Sequence, residues 1–86
     1  MPIISTFFGI IIRMFFDDHA PPHFHAEFQG EEATFDFQGK VVHGSIRSTT
    51  ARRLIRRWAQ LHRTELEQNW RRAKKLEPIA QIAPLE

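Results

Sequence analysis

The sequence predicts an α+β fold: an antiparallel meander of about four strands packed against one long C-terminal helix, with an extended tail. Three observations carry this. Apolar residues alternate with period two through the first half of the chain, glycines fall where short hairpin turns need them, and after Ser48 the period lengthens to that of a helix. Every strand candidate precedes the helix, which excludes a parallel βαβ arrangement. At 86 residues there is room for one core, so the chain is one domain: strand-rich over 1–46, helical over 48–76, and a tail over 77–86.

The first strand is read from FFGIIIRMFF, Phe7 to Phe16. Phe8, Ile10, Ile12, Met14 and Phe16 share one face, and Phe7, Ile11 and Phe15 share the other. Both faces are apolar, so a cover is expected on each. In the second and third strands Phe24, Ala26, Phe28, Ala33, Phe35 and Phe37 point inward, and His23, His25, Glu27, Thr34 and Asp36 point outward. Gly30 and Gly39 mark the turns. A loop centred on Gly30-Glu31 pairs Phe28 with Ala33 and sets His25 opposite Asp36. In the fourth strand His43 comes opposite Thr34 if the turn is Gln38-Gly39, or opposite Asp36 if it is Gly39-Lys40. Either way it joins the surface of His23, His25 and Asp36.

Ser48, Thr49 or Thr50 can cap the helix. Its apolar stripe is Leu54, Ile55, Trp58, Leu61, Leu66, Trp70 and Ala73, with Arg52, Arg53, Arg56, Arg63 and Lys74 opposite. A straight helix from 50 to 75 spans ~40 Å, while an eight-residue strand covers about 27 Å. Its second half must therefore bend back or project. His62, Glu65 and Asn69 interrupt the stripe and, if buried, need a hydrogen-bonded network with the sheet or tail. Pro78 ends the helix, after which Ile79, Ile82 and Leu85 need something to cover. The second face of the first strand is the expected place, reached within one chain or by exchange in a homodimer.

The net charge of +2 conceals a dipole. Residues 1–46 carry Arg13 and Lys40 against six acids, a balance of −4, and residues 47–75 carry ten cations against Glu65 and Glu67, a balance of +8. Glu77 and Glu86 complete the sum. A basic back points to RNA or DNA, or to an acidic partner protein, with Arg52, Arg53, Arg56, Arg63 and Lys74 as the contact residues. Arginine-rich helix faces are also commonly just solvated. Without cysteine there is no disulfide or thiolate chemistry, and any metal must be held by His, Asp or Glu. The apolar runs are too short to cross a membrane, and no secretory pattern opens the chain, so a cytoplasmic protein is expected.

The densest chemistry is DDHAPPHFHAEF, Asp17 to Phe28, which holds three of the five histidines. His23 and His25, two apart on a strand, point the same way and can share a divalent metal such as zinc, with His19 and Asp18 as further ligands. Without a metal, His23, His25 and His43 can serve as general acid and base, with Asp36 orienting His25. A plainer alternative is a half-exposed strand whose histidines are merely polar.

These residues, with WAQLHRTELEQNWRRAKKLEPI in the helix, resemble the small bacterial family grouped as Domain of Unknown Function 4160. The matching positions are Asp18, His19, Pro21, Pro22, His23, Phe24, His25, His62, Glu65, Asn69 and Trp70. The resemblance brings no established activity. It implies a component of a two-gene, toxin-antitoxin-like module with a small partner protein from a neighbouring gene. Two functions are therefore expected in competition: a binding or regulatory protein acting through its basic helix, and a small ribonuclease-like or metal-dependent hydrolase acting through His23 and His25.

Overall fold

The computed structural model describes residues 2–86. Five strands form one antiparallel sheet in chain order: β1 Ile3–Phe7, β2 Ile10–Arg13, β3 His23–Phe28, β4 Glu31–Asp36 and β5 Val41–Gly44. Two helices follow, α1 Thr49–Leu61 and α2 Arg63–Lys74. The predicted four strands and single helix are corrected to five and two.

The additional strand comes from a turn inside the first apolar run. Phe8 and Gly9 both have positive φ, 51° and 80°, as a two-residue hairpin turn of the right twist requires. Phe7 therefore pairs with Ile10 across a tight hairpin and faces the core instead of sharing an outer face with Ile11. Gln29 and Gly30 repeat the device at φ 50° and 81°, which pairs Phe28 with Glu31, Phe24 with Phe35 and His25 with Thr34. The expected pairings of Phe28 with Ala33 and His25 with Asp36 are thus shifted by two residues. Because strand side chains alternate with period two, that shift leaves every residue on its expected face. Thr34 pairs with His43, the partner implied by the Gln38-Gly39 turn.

The inward side chains make one core. Phe24 stacks on Phe35 at 5.6 Å between ring centroids and meets Trp58 edge-on at 5.6 Å. Ile4, Ile10, Ile12, Met14, Ile55 and Leu66 close around them without exposure. Burying each such side chain contributes about 1.5–3 kcal/mol.

Ser48 caps α1, its Oγ accepting from the amide of Ala51 at 3.0 Å. The helical path breaks at His62, where φ is −114° and ψ 28°. The molecule is 34 Å in its longest dimension. A straight rod of ~40 Å would carry Trp70 and Ala73 off the sheet. The break keeps both packed and leaves Leu61, expected in the stripe, 63% exposed. α2 ends in a left-handed residue, Leu76 at φ 57°, with the amides of Leu76 and Glu77 donating to the carbonyls of Ala73 and Arg72.

The tail then returns along β1 within the same chain. Ile82 donates its amide to Ile4 O at 2.8 Å, Gln81 Nε2 donates to Ile3 O at 2.6 Å, and Trp58 Nε1 donates to Ala83 O at 2.9 Å. Asn69, almost wholly buried, donates to Ala80 O and accepts from the Ala80 amide. The predicted helix–tail network thus centres on Asn69, while His62 and Glu65 pair with each other at 2.6 Å. Ile82 and Leu85 join the helix-side core. The expectation that the tail covers Ile11 and Phe15 is corrected, because those two stay half-buried on the opposite, helix-free face. The tail's hydrogen bonds to β1, Trp58 and Asn69 are thus all made within its own chain.

Candidate metal centre

The site is built where the loop after β2 reaches β3. α2 holds that loop from behind: the Asp17 amide donates to Ala73 O at 3.1 Å, and Lys74 Nζ donates to Asp18 O at 2.7 Å. Lys74 also lies 3.6 Å from the Asp17 carboxylate and 5.8 Å from the Trp70 ring centroid. The Trp70 ring packs 5.3 Å from that of His23, so α2 sets both the loop and the first histidine.

Three ligand atoms converge. Asp18 Oδ2 lies 2.8 Å from His23 Nε2 and 3.1 Å from His25 Nε2, and one donor atom from each residue falls within 4.8 Å of the others. Donors bound to one ion at 2.0–2.2 Å are separated by roughly 3–3.5 Å. The trio therefore already stands near the spacing that a small divalent cation imposes.

Each imidazole is also anchored through its far nitrogen. His23 Nδ1 lies 2.7 Å from Pro21 O, and His25 Nδ1 lies 3.4 Å from Thr34 Oγ1. Such partners are what hold metal-binding histidines in orientation and tautomer. At His23 the accounting is strict. A carbonyl only accepts, so Nδ1 must carry hydrogen, and an ionised carboxylate also only accepts, so Nε2 must carry either a proton or a metal. His25 has no such conflict, since a threonine hydroxyl can donate or accept.

The Asp18 carboxyl is ionised. Burial pushes its pKa up, but hydrogen bonds from His25, from the His19 amide and from His23, together with the charge on His23, outweigh burial and hold it at about 2. The side chain is 16% exposed, which keeps water from competing for the same oxygens.

The other predicted residues are distributed as follows. His19 is 85% exposed and touches the opposite carboxylate oxygen, its Nδ1 3.0 Å from Asp18 Oδ1, so it borders the trio without joining it. Asp36 does not orient His25. The shifted register sets Asp36 opposite His23, and its Oδ1 accepts the amides of Gln38 and Lys40 to close the β4–β5 turn. Asp18 holds His25 instead. His43 is exposed and lines a depression of about 560 Å³ on the helix-free sheet face, together with His25, Thr34, Arg13 and Phe15. There the Phe15 ring meets His25 edge-on at 4.4 Å, and Arg13 pairs with Glu27 at 2.7 Å.

The basic residues do not form one stripe. Arg52, Arg53 and Arg56 belong to α1, while Arg63 and Lys74 lie beyond the break on α2. Arg63 faces Glu67 at 3.4 Å, and Lys74 is committed to the Asp17–Asp18 loop. Sequence reasoning missed Thr34 and Trp70 as supports of the histidines. Thr34 was legible as a polar residue on the histidine face, whereas the role of the Pro21 carbonyl leaves no trace in side-chain identity.

The fold and its cluster define a small α+β protein with a two-histidine, one-carboxylate centre. Residues 9–71 match the family described as Domain of unknown function (DUF4160), and the chain belongs to that family. No curated protein and no solved structure matches it. Among the described residues no helix is long and apolar enough to cross a membrane.

Proposed function

We propose that this protein is a small hydrolase dependent on a divalent metal held by Asp18, His23 and His25, with zinc the first candidate. The observation that carries the reading is the convergence of three donor atoms whose imidazoles are both anchored from behind. Three protein ligands leave coordination positions open, as catalytic sites require and structural sites do not. A divalent ion held there supplies a Lewis acid that polarises a substrate oxygen.

The chain's own residues do the rest. Asp18 and the two rings fix the charge and direction of the centre, and Lys74 and Trp70 keep the loop and His23 from shifting. His25, 32% exposed, is the member that meets the sheet-face depression. His43 stands across that depression as the candidate proton donor or acceptor, a role that needs no contact with the trio itself.

Metal analysis of the purified full-length protein tests the reading. About one divalent ion per chain is expected, falling to near zero in His23→Ala and in His25→Ala. Hydrolysis of model esters and phosphodiesters should stop on chelation and return with added zinc. A wild-type chain that neither carries a divalent metal nor takes one up would end this reading. Activity that survives chelation but is lost in His25→Ala would assign the same residues to direct proton transfer.

A further inference from the structure

We infer that the groove between the β4–β5 turn and α1 is a binding site for the phosphates of single-stranded nucleic acid. This inference does not depend on the metal centre. The groove is lined by Lys40 from the turn and by Arg52, Arg53 and Arg56 from α1, over a floor that includes Phe35 and Val41. Among the described residues no carboxylate lines it. The contrast with the neighbouring cleft is informative, because there Arg63 and Arg71 are matched by Asp36 and Glu67 in the same lining.

None of the four cations forms an ion pair among the described residues. Arg52 donates to Ile46 O and to Thr49 Oγ1, which fixes its guanidinium at the rim. Among the described residues, Lys40, Arg53 and Arg56 have no acidic side chain within 4.0 Å. Four like charges around one depression of about 370 Å³ repel one another, and a single monoanion cannot offset them. A chain of anions can, releasing its counterions as it binds.

The turn is built to hold this arrangement. Gly39 lies so close to α1 that a Cβ there would meet Arg56 Cα at 2.6 Å, and its φ of 88° suits glycine. Lys40 follows directly, with its amide held by Asp36. The cations of turn and helix are therefore set across the groove from each other. Val41, 40% exposed, adds an apolar surface beside them on which a sugar or base can rest. The acidic balance of residues 1–46 disfavours a polyanion over much of the sheet, which leaves this groove as the favoured contact.

Fluorescence anisotropy of a labelled single-stranded oligoribonucleotide with the full chain, in metal-free buffer across a salt series, tests the assignment. Binding should weaken steeply with salt and be indifferent to base sequence. Combined Lys40→Glu, Arg53→Glu and Arg56→Glu should weaken it at least tenfold and make the log–log salt slope shallower by about 2, at roughly 0.7 for each phosphate no longer neutralised. Arg57→Glu, on the same helix but outside the groove, should change affinity less than about twofold, since only the general field is altered. If the charge-reversed chain does not fold, the corresponding glutamine substitutions read the same outcome.

Absence of binding at low salt, or an equal loss in Arg57→Glu, would overturn the site. Displacement by poly-glutamate as effective as by unlabelled RNA would overturn the commitment to phosphate in favour of an acidic protein. RNA binding without any metal uptake would leave this inference standing and end the hydrolase reading, while metal uptake without RNA binding would do the reverse.

Discussion

His23 is set between a carbonyl oxygen and a carboxylate oxygen, and neither can donate to it. That residue-level constraint makes the cluster more than a row of strand histidines. It also sets a pH dependence. Asp18 has a folded pKa of about 2 against an ordinary value of 3.8, so the folded state favours its ionised form. The resulting stabilisation is complete above pH 3.8, declines as pH falls from there towards 2, and is absent below. Acid titration followed by circular dichroism should show Asp18→Asn losing stability against wild type at neutral pH, with the difference shrinking across that window. Metal uptake should likewise weaken as pH falls, because protons compete with the metal for its ligand atoms.

The histidines could be picked out from their density alone, and Asp18 was among the candidate ligands. The orienting role was nevertheless assigned to Asp36, because the turn at Gly30 was placed one residue too late. Gln29 carries the positive φ that shifts the pairing, and glutamine gives no outward sign of doing so.

Among the elements, the β4–β5 turn and the helix break decide what can meet what. Gly39→Ala would require Arg56 backbone to yield to a carbon 2.6 Å away and would place alanine at φ 88°. A loss of about 1–3 kcal/mol is expected by chemical denaturation. Gly30→Ala, where nothing lies within 4 Å, meets only the backbone penalty and should cost less, about 1 kcal/mol. Equal losses would show that the turn does not press on α1.

Helical periodicity marked one continuous helical span and did not divide it into α1 and α2, since His62 and its neighbours read as helix formers. Only the length of the sheet shows that a straight helix does not fit. The first hairpin was similarly hidden, as Phe8 occupies a left-handed position that an aromatic residue seldom takes. Phe8→Asn should therefore be neutral or stabilising in a thermal melt, since asparagine tolerates that conformation and Phe8 is 60% exposed.

For the molecule as a whole, the tail is structural. Truncation after Lys75 removes buried Ile82 and Leu85 and deprives Asn69, Trp58 and the β1 edge of their partners. Domains of this size have only about 5–15 kcal/mol to lose, and each 1 kcal/mol shifts the melting temperature by roughly 4–8 °C. A fall of about 10 °C or more is expected by calorimetry, and an unchanged melt would make the tail an idle extension. Its apolar residues showed from sequence that it must pack, but not where. Phe7, assigned to the far face of one long strand, belongs to a separate one whose edge the tail follows.

That same tail gives the sheet unequal borders. It bonds to β1 at Ile3 and Ile4, while among the described residues no strand neighbours β5 on its outer side, where Val41 and Val42 are exposed. An uncovered strand can accept another strand through its backbone alone. A sheet with two uncovered borders can extend without limit, but one with a single uncovered border stops once two copies have met. Where Ile82 bonds to Ile4 O, the tail occupies the place a strand of a second copy would take on β1. Removing residues 77–86 should open the β1 border as well as that of β5, seen in light scattering as particles whose size rises with time and not only with concentration.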